Sequence, residues 1–70
     1  MSFYEKLRIA LKRKGMTAAE LSRRSGVSQT YISNLKVGVA KDVTWEKALL
    51  LIKGLGMTPS EFAALEEEDE

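Results

Sequence analysis

The 70-residue chain contains no cysteine and no histidine. Disulfide staples are therefore excluded, and so are metal sites built on thiolate or imidazole. Aromatic residues are few, with two Phe, two Tyr and one Trp, so the core must be mainly aliphatic. No apolar run approaches the roughly 18 residues of a membrane-spanning helix. The opening residues MSFYEKLR lack the apolar stretch of a secretion signal. These absences point to a cytoplasmic domain with no cofactor, no metal and no membrane contact. Seventy residues make a single domain near the lower size limit for unaided folding. Its stability must come from well-capped helices, a compact core or a second subunit.

Charges nearly cancel overall but are unevenly placed. The formal net charge is +1. Residues 1–41 hold nine Lys/Arg against only Glu5 and Glu20, whereas residues 42–70 hold Lys47 and Lys53 against eight acids. A basic half beside an acidic half suggests a polyanion-binding surface with its acidic tail turned elsewhere.

What the chain does contain is helix punctuation. Ser2-Phe3-Tyr4-Glu5, Thr17-Ala18-Ala19-Glu20 and Thr58-Pro59-Ser60-Glu61 have capping-box spacing. Ser28 and Thr44 stand where two further helices start, and Gly15, Gly26, Gly38 and Gly56 stand where helices stop. Phe3, Leu7, Ala10 and Leu11 share one helical face, as do Trp45, Ala48, Leu51, Ile52 and Leu55. No alternating segment competes, so the expectation is an all-α domain of five short helices over residues 1–65. The tail 66–70, EEEDE, is expected to be disordered. The expected core is Phe3, Leu7, Leu11, Leu21, Val27, Ile32, Leu35, Trp45, Leu51, Ile52, Leu55 and Phe62.

Helices two and three are separated by only a few residues around Gly26. Such a tight link makes them cross at a large angle, as in a helix-turn-helix. At about 100° per residue, Ile32 and Leu35 mark the inner face of helix three. Thr30, Asn34 and Ser33 fall on the outer side, and Gln29 lies in the first turn. Base reading needs this chemistry: Gln and Asn pair a donor with an acceptor, and Ser and Thr serve either role. Plain solvated helices also carry such residues. Here they coincide with the glycine turn and the basic half, which favours double-stranded DNA as the partner.

The stretch MTAAELSRRSGVSQTYISNLKVG (16–38) resembles the helix-turn-helix of the lambda-repressor/Cro-like family of phage and bacterial regulators. The likeness rests on Thr17, Glu20-Leu21, Gly26-Val27-Ser28, Tyr31-Ile32-Ser33, Leu35 and Gly38. ALLLIKGLGMTPSEF (48–62) is similar to that family's fourth and fifth helices. The resemblance extends over residues 3–65 and implies a compact five-helix, lambda-repressor-like fold with its motif near residues 17–36.

The family's base-contacting positions fall on Gln29, Thr30 and Asn34, the residues the helical wheel selects, with Ser33 a weaker member. The resemblance implies phosphate contacts at the start of helix two, Thr17 and Ala18, and around the end of helix three. Lys36 and Lys41 flank that end and are the first choices among the cations. Ser28 and Tyr31 complete the phosphate set through their hydroxyls. Ser28 is equally explained as a cap, and Tyr31 as partial packing on the core edge.

The chain departs from the family pattern in four places. Ala18 stands where a phosphate-binding Gln is common, Ser22 replaces an Ala, and Lys36-Val37 replaces Glu-Asn. The loop 39–43 lacks the usual proline and is slightly long.

One module buries only about 600–1,000 Å² on DNA. Tight binding of a palindromic operator therefore calls for a homodimer. Met57, Phe62 and Leu65 are the expected dimer surface, with Phe62 alternatively fastening helix five to the core. Nothing pairs a nucleophile with a base, and the acids cluster in the tail, so no enzyme is expected. The expected function is a small bacterial or phage-encoded transcriptional regulator, of repressor type, located on the nucleoid when bound. The alternative is a protein-interaction module of the same fold, such as an antitoxin or a transcription co-regulator.

Overall fold

A computed structural model describes residues 2–38 and 43–65. Five helices follow in chain order: α1 (Phe3–Lys14), α2 (Ala18–Ser25), α3 (Gln29–Lys36), α4 (Trp45–Gly54) and α5 (Pro59–Ala63). No strand occurs among the described residues. The all-α expectation holds.

Each helix starts on a hydroxyl. Ser2, Thr17, Ser28, Thr44 and Thr58 all accept a hydrogen bond from the backbone N–H three residues on. Each such cap satisfies one of the orphan amides of the first turn. Two of the three expected capping boxes close reciprocally, Ser2 with Glu5 and Thr58 with Glu61. The Ser2 hydroxyl and then its backbone amide hold the Glu5 carboxyl below the usual carboxylate range. For Glu61 the Thr58 amide is the leading cause. The third box forms only half. Thr17 accepts from the Glu20 amide at 3.1 Å, but the Glu20 carboxylate turns to Arg24, 3.0 Å away one helical turn on. An exposed cation four residues ahead offers the carboxylate an alternative partner.

The core is aliphatic, as the low aromatic content requires. Leu7, Leu11, Leu21, Val27, Ile32, Leu35, Leu51, Ile52, Leu55 and Phe62 are buried as expected, joined by Ala10, Ala48 and Leu65. α2 packs on α3 and α4, and α1 packs on α3 and α5. Phe3 is only half-buried; its ring lies 4.9 Å from that of Phe62 and closes the α1–α5 side. The Lys6 ammonium donates to the Ala63 carbonyl at 2.6 Å and ties the end of α5 to α1. A cation suits that site, because the last carbonyls of a helix carry partial negative charge.

Trp45 departs from expectation. It is 72% exposed and not a core residue. It opens α4, and the inner face of the helix is filled by Ala48, Leu51, Ile52 and Leu55 behind it. The indole instead stands beside an open groove of about 700 Å³ with Phe3, Val43, Ile52, Pro59 and Phe62 in its walls.

α4 and α2 approach closely at Gly54. A Cβ there would lie 3.0 Å from Leu21 Cδ1, 3.0 Å from Ser25 Cβ and 3.3 Å from the Ser25 Cα. Part of that obstacle is backbone, which cannot swing aside. Gly54→Ala is expected to lower stability by about 1–3 kcal/mol through overpacking. Alanine's better helix propensity offsets at most about 1 kcal/mol of this. A rise in the urea midpoint of the variant would contradict the tight α2–α4 contact.

Candidate nucleic-acid interface

α3 is presented by a latched turn. Gly26 has φ 79°, a left-handed conformation that a side chain would strain. Two serines that precede it in α2 fasten the link. The Ser22 hydroxyl donates to the Val27 carbonyl at 2.6 Å. The Val27 amide donates to the Ser25 hydroxyl at 3.1 Å, and Ser25 is itself buried. The short α2–α3 link is thus pinned at both polar groups of Val27, whose side chain is in the core. Ser22 fits a close helix approach, as its small size suggests, and adds a polar clamp that size alone does not reveal.

α3 is anchored from beneath by Ile32 and Leu35, exposed by 0% and 1%. On its outer side Ser28, Gln29, Thr30 and Lys36 are exposed, while Tyr31, Ser33 and Asn34 are half-buried. The helix contains no acid, and its first turn carries none. Its eight residues span about 12 Å, close to the width of a B-DNA major groove. Gln29 and Thr30 stand in the first turn and Asn34 about one turn on.

The remaining expected contacts divide. Thr17 is exposed at the start of α2, with Ala18 half-buried behind it. The amides of that first turn lack intrahelical acceptors and favour an anion. The Ser28 hydroxyl accepts from the Tyr31 amide at 3.1 Å, so it serves as the cap of α3. Lys36 lies exposed in the last turn. Lys41 lies outside the described residues, as does the 66–70 tail. Of the expected dimer residues, Phe62 and Leu65 are buried, at 4% and 6% exposure, and Met57 is half-buried. Within one chain these three complete the core.

Lys47 is a cation that sequence reading passes over. Its ammonium lies 4.2 Å from the centroid of the Tyr31 ring, bringing positive charge from α4 to the side of α3. The only sequence signal is the charge itself, on a helix not assigned to the site; the pairing joins residues sixteen positions apart on two helices. Tyr31 is accordingly neither a fully buried packing residue nor a lone surface hydroxyl, since its ring is half-buried and faced by a cation.

The helix-turn-helix family model matches residues 7–62, from the middle of α1 to α5. The chain belongs to the Cro/C1-type helix-turn-helix family. Members bind DNA as regulators, so this helix-turn-helix protein is a DNA-binding regulator, and the family is not typically an enzymatic one. No significant match was found among curated proteins or among solved structures. No helix among the described residues is long and apolar enough to cross a membrane.

Proposed function

We propose that this helix-turn-helix protein is a sequence-specific repressor that binds a palindromic operator as a homodimer, with α3 in the major groove. Its setting would be a phage, a mobile element or a restriction-controller system. The observation that carries the reading is the outer side of α3. It combines exposed Gln29 and Thr30 with Asn34 and Ser33, lacks any acid, and is fixed from beneath by Ile32 and Leu35. A merely solvated helix has no need of paired donors and acceptors on a rigid, acid-free face.

Gln29, Thr30, Asn34 and Ser33 are assigned to bases. Thr17, Ala18, Ser28, Tyr31, Lys36 and Lys41 are assigned to phosphates, and Lys47 joins them through its place on Tyr31. Repression then needs only occupancy, because a bound dimer excludes polymerase from the same stretch of duplex. The principal extents of 31 × 24 × 22 Å suit two copies side by side whose reading helices are about 34 Å apart, one turn of DNA.

Selection from a random duplex library followed by mobility shifts across a salt series tests the reading. A palindromic site should emerge, and its affinity should fall by about 10³-fold or more between 50 and 200 mM salt if some six phosphates are neutralised. Absence of binding even at low salt would instead favour a protein partner, as for an antitoxin.

A further inference from the structure

Three of the four exposed large hydrophobics among the described residues lie on α4: Trp45 at 72%, Leu50 at 46% and Leu49 at 37%. The rest of the solvent face of α4 is charged, with Glu46 in the first turn and Lys53 in the last. At about 100° per residue, Glu46, Leu49, Leu50 and Lys53 share one side of the helix. Ala48, Leu51, Ile52 and Leu55 hold the other side in the core.

This face has an internal symmetry. Two leucines sit at its centre, and an acid and a base stand at equal distances on either side. A twofold axis midway between positions 49 and 50 would place Leu49 on Leu50 of the second copy and Glu46 on Lys53 of the second copy, each contact occurring twice. A parallel pairing would instead set acid on acid and base on base. The antiparallel arrangement also opposes the dipoles of the two helices. Trp45 at the edge of the face then comes over the stem and ammonium of the second copy's Lys53, a favourable position for a cation beside an indole.

We infer that the exposed face of α4 is the homodimer surface of this regulator, with a second copy docked antiparallel through Leu49 and Leu50 and locked by reciprocal Glu46–Lys53 pairs. The inference deepens the homodimer reading above and rests on it only for its biological purpose. It moves the contact from the end of α5 to α4, because Phe62 and Leu65 are already spent in the core.

The face is also oriented suitably. Gly54 meets α2 at Leu21 and Ser25, and Lys47 meets Tyr31 of α3. Both residues lie about a quarter turn round α4 from the centre of the exposed face. The two reading helices therefore flank the twofold and stay outside the interface. The ten residues of α4 are about 15 Å long, and a pairing of that length buries less than the roughly 800 Å² per partner of a stable complex. The dimer is accordingly weak in free solution, and two half-sites on one duplex raise its effective concentration.

Sedimentation of the full chain over a wide concentration range tests the inference, with the emission of the single tryptophan as a second readout. The unaltered chain should self-associate, and its tryptophan emission should shift to the blue as it does so. Glu46→Lys and Lys53→Glu should each weaken association at least tenfold. An equimolar mixture of the two variants should recover it, because one chain then presents two bases to the other's two acids. Both residues are exposed, so circular dichroism should report an unchanged fold. A chain that stays monomeric at millimolar concentration, association indifferent to either reversal, or a mixture that fails to recover would each overturn the inference.

DNA is read separately, on a duplex carrying one selected half-site, which needs no interface. A dimer with the expected charge dependence but no affinity for any duplex would retain the α4 surface and defeat the DNA reading. Half-site binding by a strict monomer would do the reverse.

Discussion

Ile32→Ala is expected to remove about 2–5 kcal/mol of stability. For a chain of this length that is a large part of the whole, since folded domains retain only about 0.05–0.15 kcal/mol per residue. Ile32 is 0% exposed in the middle of α3, where truncation leaves a cavity that flanking helices cannot easily close. In a domain of 60–100 residues each kcal/mol is worth about 4–8 °C, so the thermal midpoint by circular dichroism should drop by more than about 10 °C. Thr30→Ala provides the contrast. Thr30 is exposed on the same helix, two residues away, and its loss should move stability by less than about 0.5 kcal/mol. DNA binding by the Ile32 variant should fall with the folded fraction and return on cooling. A midpoint lowered by only a few degrees would mean that α3 is not held from beneath as the burial of Ile32 and Leu35 implies.

This contrast between neighbours reflects what was legible from the sequence. Local rules carried far. Hydroxyl caps and glycine stops located all five helices, because capping depends on residues three or four apart. The apolar period of α3 named Ile32 and Leu35 as its inner face. Misses came where the answer depends on a second element. Trp45 shares the α4 period with Ala48 and Ile52 and so falls in the expected core, yet periodicity specifies a face and not how far the neighbouring helices extend to cover it. Phe62 belongs by its spacing both to the expected core and to the expected dimer surface, and within one chain it is buried together with Leu65. Lys47 carries no such signal, because its place 4.2 Å from the Tyr31 ring joins residues of two different helices. Ser22 stands out in the sequence only as a replacement for a family Ala, whereas its hydroxyl closes the α2–α3 turn. Size is visible in a sequence, but the direction of a hydroxyl is not.

Replacing Gln29 and replacing Lys36 should both weaken DNA binding, but in different ways. Gln29→Ala is expected to cost about 1–3 kcal/mol on the selected operator and to relax preference at one base step. The same variant should lose little affinity for unrelated duplex, because an uncharged side chain adds nothing to phosphate neutralisation. Lys36→Ala should weaken all sequences alike and reduce the slope of log affinity against log salt by about one. The geometry separates the two roles. Gln29 opens α3, where the first turn of a reading helix reaches base edges, and Lys36 lies in its last turn. Both side chains are exposed, so neither change should disturb the fold. Titrating each variant against the operator, single-step operator variants and random duplex at several salt concentrations separates the two effects. Should Lys36→Ala change base preference, or Gln29→Ala change only the salt slope, the division of α3 into a reading start and an anchoring end would be wrong.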